Sequence, residues 1–363
     1  MARFHSLKIA ALVRETADAV LVTFEVPPEL AEDYAYVQGQ HLTLRSEIDG
    51  EDVRRNYSIC NGVDEQRLRV AIKRVEGGCF SGFANEALEA GNSLEVMTPT
   101  GSFHTELDPA QRKTYAAFAA GSGITPVISI IKTTLAREPE SRFLLFYGNR
   151  SVASILFQEE LEDLKDRYLD RFSLVHVLSR EAQDVELFNG RIDAAKVEAL
   201  CAAFCPVGTL DEVFVCGPST MIEEVCGKLQ ALGLPETQIH FELFTTAGHG
   251  EALSTAAPSA EAEPAETSDV ASEVTVILDG VRTRFPLTRS GDSLLDAALK
   301  AGLDLPFSCK GGVCSTCRAK VLEGEVEMTV NYALEEGEVA AGYVLSCQSH
   351  PLTDKVVLDY DAA

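Results

Sequence analysis

The sequence has no apolar run near the roughly 20 residues that a membrane-spanning helix requires. Its opening, Met1-Ala2-Arg3-Phe4-His5-Ser6, carries no apolar export leader, so the expected location is the cytoplasm. Positive charge is scarce: 31 Lys and Arg stand against 56 Asp and Glu, a formal net charge of −25. Such a surface repels nucleic acid and suits a partner with a basic docking patch. A disulfide framework is not expected in a chain of 363 residues without an export signal. That length holds two or three domains, and a hydrophobic fraction of 46% is ordinary for chains that bury cores.

Four of the ten cysteines stand out. Cys309, Cys314 and Cys317 follow the spacing C-x4-C-x2-C, and Cys347 comes after 29 intervening residues. Structural zinc sites usually take two close pairs of ligands. Here there is a triplet and a distant single, with no histidine nearby except His350. One tight loop that brings three thiolates onto a small inorganic core, closed by a fourth from elsewhere, is the arrangement for a 2Fe–2S cluster. Gly311 and Gly312 let the backbone wrap closely, and loop N–H groups can offset the sulfur charge. The flanks Pro306-Phe307-Ser308-Cys309 and Val344-Leu345-Ser346-Cys347-Gln348 resemble plant-type ferredoxins. The resemblance implies one α+β, β-grasp ferredoxin domain over 273–363. The other six cysteines, Cys60, Cys79, Cys201, Cys205, Cys216 and Cys226, read as free thiols.

Residues 1–106 read as short strands at Ser6–Val13, Ala19–Val26, His41–Arg45, Asn56–Cys60, Leu68–Arg74 and Leu94–Thr98. This pattern predicts a small antiparallel β-barrel, with a short helix from about Ser81 covering Gly82–Ala90. Two motifs lie here. In Arg55-Asn56-Tyr57-Ser58 the arginine suits a phosphate, the aromatic a flat ring and the hydroxyl a ring nitrogen. An ordinary solvated strand would read the same way. Gly77-Gly78-Cys79-Phe80-Ser81 precedes a helix, where free amides suit a pyrophosphate.

Residues 107–244 alternate strand and helix and predict a doubly wound α/β domain of about five parallel strands. The strands are Thr114–Ala119, Arg142–Tyr147, Phe172–Leu178, Asp211–Cys216 and Gln238–Leu243. The helices are Ile124–Ala136, Phe157–Tyr168, Asp193–Cys201 and Met221–Leu232. Gly121-Ser122-Gly123-Ile124-Thr125-Pro126 occupies the first strand-to-helix turn, a phosphate position in such folds. Cys216-Gly217-Pro218 ends the fourth strand at the same carboxyl edge.

Together these motifs resemble the ferredoxin–NADP reductase family. The resemblance implies FAD, with Arg55, Gly78 and Ser81 near its pyrophosphate and Tyr57 stacked on its ring. Ser58 would sit at the reactive nitrogen, and Val70, Ala71 and Lys73 would run along the flavin. It further places Gly121, Ser122, Gly123 and Thr125 at the nucleotide pyrophosphate and Cys216, Gly217 and Pro218 beside the nicotinamide. Ser58 and Cys216 are thus the two catalytic candidates, and Glu242 is a further candidate near the flavin. The family's Pro-Gly-Gln stands here as Gln38-Gly39-Gln40, which alters a turn rather than a ligand. Arg150 follows the second strand, where an NAD site would carry an acid, and Ser179-Arg180, after the third, resembles the serine–arginine pair that holds the 2′-phosphate in plant-type reductases. Paired hydrogen bonds from arginine suit a 2′-phosphate, so the expected donor is NADPH.

Residues 245–272 contain five acids, no Lys or Arg and no periodicity, the composition of a flexible linker. The order flavin domain, nucleotide domain, linker, ferredoxin resembles reductase components of bacterial multicomponent oxygenases. It implies two-to-one electron conversion, from NADPH to a one-electron centre near about −400 mV. The partner implied is a separate di-iron oxygenase; this chain lacks the Glu-x-x-His helix pairs such a site uses. Other aromatic or alkyl oxygenases remain open as acceptors, and a redox-sensing role is the alternative of a different class.

Overall fold

A computed structural model describes residues 3–244 and 271–362. The expected linker therefore lies outside the described residues, except that Ala271 and Ser272 already belong to a strand. No helix among the described residues is long and apolar enough to cross a membrane.

The first compact unit spans Phe4–Phe244. Its six antiparallel strands are β1 (Phe4–Thr16), β2 (Ala19–Glu25), β3 (His41–Ile48), β4 (Glu51–Ser58), β5 (Leu68–Lys73) and β6 (Ser93–Met97), in the order β4-β3-β6-β1-β2-β5. A bridge between Ile59 and Val70 closes the barrel. Asp49 and Gly50, at φ 53° and 82°, form the turn between β3 and β4. This pair suits the two positive φ values of a tight hairpin, and it fixes a register in which His41 faces Ser58 and Thr43 faces Asn56. Helix α1 runs Cys79–Glu86, starting earlier and ending sooner than expected. Gly78 is its cap, and a Cβ there would lie 2.6 Å from Ser81 Oγ.

The same unit holds five parallel strands, β7 (Thr114–Ala120), β8 (Arg142–Asn149), β9 (Phe172–Leu178), β10 (Glu212–Gly217) and β11 (Ile239–Leu243), in the order β11-β10-β7-β8-β9. Helices α2 (Ile124–Arg137), α3 (Gln158–Arg167), α4 (Ala194–Phe204) and α5 (Ser219–Ala231) connect them. The strand order reverses between β7 and β10, so the crevice at their carboxyl ends is the ligand position of this architecture. In α3, Glu159 and Glu160 occupy the first turn and Lys165 and Arg167 the last, matching the helix dipole. Phe157, expected inside this helix, caps it in the left-handed region at φ 58°.

Barrel and α/β layer share one core. Cys60, Ala71 and Phe103 pack in a single cluster with Ile124, Val127 and Phe157. Polar ties add to it: Ser129 Oγ donates to Asn61 O at 2.6 Å, and Glu160 accepts from both Arg69 at 2.8 Å and Lys132 at 2.6 Å. This shared core is why the parts expected to divide at residues 106/107 form one compact unit.

In the second unit, β12 (Ala271–Leu278) and β13 (Val281–Thr288) form another Asp-Gly hairpin, with Asp279 at φ 52° and Gly280 at 74°. Helix α6 (Leu294–Lys300) is capped by Ser293, which accepts from Asp296 N. Then come β14 (Arg318–Glu323), β15 (Val326–Met328), α7 (Glu336–Ala340), β16 (Tyr343–Leu345), β17 (Ser349–Pro351) and β18 (Lys355–Asp359). The main sheet has the order β13-β12-β18-β14-β16, with β12 and β18 parallel. Leu294, Leu295 and Ala298 of α6 bury against Val274, Val276 and Leu345, a β-grasp core.

Candidate functional site

Two sites emerge, one in each unit. In the first, β4 carries Arg55, Tyr57 and Ser58. Tyr57 rests on Phe80 of α1, ring centroids 5.7 Å apart, and burial pushes its phenol pKa up, with Arg55 partly offsetting this. The Arg55 guanidinium donates to Arg54 O at 2.7 Å. Ser81 is buried; its hydroxyl accepts from Val75 N at 3.0 Å and lies 3.4 Å from Gly78 O. That hydroxyl therefore braces the Gly77-Gly78 turn. Strand β5 pairs with β2 along its length, and on its other side meets the chain just past β4 at the Ile59–Val70 bridge and the bond from Cys60 N to Arg69 O at 3.0 Å. Its edge at Ala71 and Lys73 is thus unpaired with any strand among the described residues. Lys73 Nζ lies 3.6 Å from Asp18.

Ser58 is 3% exposed and donates to Glu242 Oε2 at 3.4 Å. Glu242, on β11, pairs in register with Cys216 on β10. Cys216 is fully buried; burial first, and then the Glu242 carboxylate, raise its thiol pKa well above the ordinary value. A neutral thiol and a hydroxyl so flank one carboxylate. Behind them stands His41, 4% exposed, whose Nδ1 lies 3.8 Å from Glu242 Oε1. Thr43 donates to Asn56 Oδ1 at 2.8 Å, and Asn56 Nδ2 lies 3.1 Å from His41 Nε2. Asn56 thus braces one ring nitrogen and leaves Nδ1 facing Glu242. Thr100 Oγ1 also lies 3.3 Å from Nε2. His41, Asn56 and Thr100 were not found from the sequence. The Asp49-Gly50 turn held the signal for two of them, because its register places His41 opposite Ser58 and Asn56 opposite Thr43.

At the nucleotide side, Gly121 has φ 54° and accepts from Tyr147 OH at 3.0 Å. A Cβ on Gly123 would lie 2.1 Å from Cys216 O, so only glycine lets this loop press against β10. Thr125 donates to Ser122 O at 3.0 Å. A Cβ on Gly217 would meet Met221 Cε at 2.7 Å, and Pro218 caps α5. The loop Gly121–Thr125 and the segment Cys216–Pro218 are therefore packed tightly against each other at the carboxyl ends of β7 and β10, the ligand position of this architecture. Backbone bonds from Ser179 N to Asn149 O and from Arg180 N to Arg150 O, at 2.9 and 2.8 Å, bring Arg150, Ser179 and Arg180 to one exposed edge. The Arg150 and Arg180 side chains have no ion-pair partner among the described residues, a cationic edge fit for a phosphate.

In the second unit, Cys309 touches Cys314 and Cys347, and Cys347 touches Cys317. Among the described residues no three His, Cys, Asp or Glu side chains converge as ligands of a single ion. The thiols form a row, Cys314–Cys309–Cys347–Cys317, which suits two irons with two thiolates each. Gly311 N donates to Cys309 Sγ at 3.3 Å, and amides of Val313 and Gly312 donate to Cys309 and Cys347. The tight wrapping expected of both glycines falls on Gly312, at φ 76°, where an added Cβ would lie 3.0 Å from Val330 O, and on Lys310 and Ser315, at φ 50° and 48°. Ser308 Oγ, next to Cys309, is buried and has no hydrogen-bond partner among the described residues, a donor that a sulfide or thiolate would satisfy.

Three families match by description: the oxidoreductase FAD-binding domain over residues 6–105, the oxidoreductase NAD-binding domain over 118–227 and the 2Fe-2S iron-sulfur cluster binding domain over 276–352. The chain is 47% identical to one component of the 1,2-phenylacetyl-CoA epoxidase of Escherichia coli (strain K12) over 362 residues, covering 100% of this chain and 99% of that protein. It is 35% identical to the ferredoxin reductase component of 3-ketosteroid-9-alpha-monooxygenase from Rhodococcus rhodochrous, covering 98% and 96%. The solved structure of phthalate dioxygenase reductase shares the fold, with a TM-score of 0.59 at 23% identity and 98% coverage of both chains.

Proposed function

The chain belongs to the family of flavin- and 2Fe–2S-containing reductase components of multicomponent oxygenases, and from that premise we propose that it carries electrons from NADPH to a di-iron oxygenase that epoxidises the aromatic ring of phenylacetyl-CoA. Flavin takes the two electrons of a hydride together and releases them singly, and a 2Fe–2S centre takes one at a time. The single observation behind the acceptor is the 47% identity over the whole chain to a component of that epoxidase.

The chain's own residues hold, orient and exclude. Gly121, Ser122, Gly123 and Thr125 shape the turn that takes the nucleotide pyrophosphate at the start of α2. Arg150, Ser179 and Arg180 grip the 2′-phosphate that distinguishes NADPH from NADH. Arg55, Tyr57, Val70, Ala71, Lys73, Gly78 and Ser81 form the wall and turn that hold FAD. Ser58 and Cys216 sit at the reacting atoms, and Glu242 orients the Ser58 hydroxyl. Cys309, Cys314, Cys317 and Cys347 ligate the cluster.

The test is reconstitution. The purified holoprotein, NADPH and oxygen are mixed with the di-iron oxygenase and phenylacetyl-CoA, and the thioester is followed by mass. The expected result is addition of one oxygen atom, absent with Cys314→Ser. NADPH oxidation with the thioester intact would reject this oxygenase as the acceptor.

A further inference from the structure

Three cluster cysteines share one loop, but the fourth arrives from the β16–β17 junction, 30 positions beyond Cys317. Something must hold that junction against the loop, because distant chain segments lose conformational entropy when brought together. The side chains on either side of Cys347 do this. Ser346 is fully buried; its hydroxyl donates to Cys317 O at 2.9 Å, and its N–H reaches the same carbonyl at 3.2 Å. Tyr360, itself 5% exposed, donates to Ser346 Oγ at 2.6 Å and so fixes which way that hydroxyl points. On the other side, Gln348 Nε2 donates to Lys310 O at 2.8 Å. The remaining end of that amide accepts from Thr329 Oγ1 at 3.0 Å, and Thr329 N donates to Gln348 O at 2.9 Å.

The two straps grasp opposite ends of the loop. One holds the carbonyl of Cys317, the last ligand of the triplet. The other holds the carbonyl beside Cys309, the first. Cys347 sits between them. Both side-chain amide ends of Gln348 are engaged, and so is the Ser346 hydroxyl as donor and acceptor, which leaves neither free to rotate without losing a bond.

Resting on the cluster reading above, we propose that Ser346 and Gln348 are positioning residues of the cluster, backed by Tyr360 and Thr329. They clamp Cys347 to both ends of the ligand loop and so set how slowly iron is lost. They act through the backbone of the ligand segments and not by contact with the metal, in the way outer residues commonly tune metal retention.

The experiment compares anaerobic holoproteins challenged with an iron chelator, following loss of cluster absorption, with the electron paramagnetic resonance signal of the reduced cluster as second readout. Gln348→Glu removes the donor to Lys310 O and sets a carboxylate against that carbonyl. Ser346→Ala leaves the Tyr360 hydroxyl without its acceptor and Cys317 O with only the backbone N–H of position 346. Each should lose its cluster about tenfold faster, the effect expected of one hydrogen bond. Tyr360→Phe should accelerate loss less, and Ser346→Thr, which keeps the hydroxyl, should restore the parent rate. The same substitutions placed in a Cys314→Ser background report on the fold alone by thermal melting. Rates within about twofold of the parent, below the scale of one hydrogen bond, would overturn the proposal. So would accelerated loss matched by an equal loss of stability in the Cys314→Ser background. If Ser346→Ala does not accumulate, Gln348→Glu and Tyr360→Phe decide it. A parent protein that assembles no cluster would instead reject the cluster reading itself, whereas a normal parent cluster with unchanged variants rejects only the clamp.

Discussion

The cluster loop and the Ser58–Glu242–Cys216 site are built in opposite ways. The loop takes three of its four thiols from the nine residues Cys309–Cys317, so local chain geometry does most of the assembly. The other site draws its hydroxyl from β4, its carboxylate from β11 and its thiol from β10. No two of them lie within 25 residues of one another, and only the closed barrel packed on the parallel sheet brings them together. A locally built site depends on each of its few ligands and has no spare one. A site assembled from distant strands depends on the pairing of whole elements and tolerates the loss of one polar atom better.

That contrast can be broken most sharply at Cys314. Cys314→Ser should abolish the cluster absorption while flavin absorption and NADPH-driven dye reduction persist; a variant that kept its cluster would mean the loop is not the ligand frame. A large effect is also expected at the nucleotide edge. Arg150→Ala with Arg180→Ala should raise KM for NADPH about 10–100-fold, as loss of two charge-assisted bonds predicts, and leave KM for NADH nearly unchanged. Equal rises for both nucleotides would remove the arginines from 2′-phosphate recognition.

A smaller effect is expected within the distributed site. Glu242→Gln keeps a partner for Ser58 but removes the charge, and should lower kcat about tenfold with little change in KM for NADPH. His41→Leu should move kcat in the same direction by less, because His41 acts through Glu242, and the double variant should add little to Glu242→Gln. Full additivity would separate the two residues. A further effect is expected on stability, at the charged tie between barrel and sheet. Burial alone would raise the Glu160 pKa, but Arg69 and Lys132 outweigh it and hold the carboxyl below its ordinary value. A carboxyl lowered in the folded state stabilises the protein above its unfolded pKa and loses that contribution as pH falls through the folded one. Glu160→Gln should therefore cost about 1–3 kcal/mol near neutral pH, with the gap to the parent protein closing in acid. A gap that stayed constant on acidification would show that the charge of Glu160 does not carry it.

Much of this architecture was legible in the chain because its signals are local. Alternation marked the barrel strands, and strand Phe172–Leu178 has the bounds expected of it. Cysteine spacing is a one-dimensional trace of a three-dimensional loop, so the cluster domain could be read without its fold. Less legible were features that depend on neighbours across the structure. Helix α1 begins at Cys79 because the turn before it, with Gly77 at φ 70°, is held by the Ser81 hydroxyl on Val75 N, a contact that propensity does not encode. In the cluster loop Gly312 is pressed against another backbone, that of Val330. Phe157 takes a left-handed conformation because its amide is held by Glu15 at 2.6 Å, 142 positions away.

By itself, the sequence determined the three cofactor modules, their order and the four clustered thiols, because each rests on residue types at short, fixed spacings. Only the tertiary structure decided that barrel and α/β layer share one core, that His41 and Asn56 stand behind Glu242, and that Ser346 and Gln348 flank Cys347 with bonds to both ends of the loop. Those relations join residues that sequence distance separates. They arise when strand register and core packing bring the residues within hydrogen-bonding reach, and no spacing along the chain records that distance.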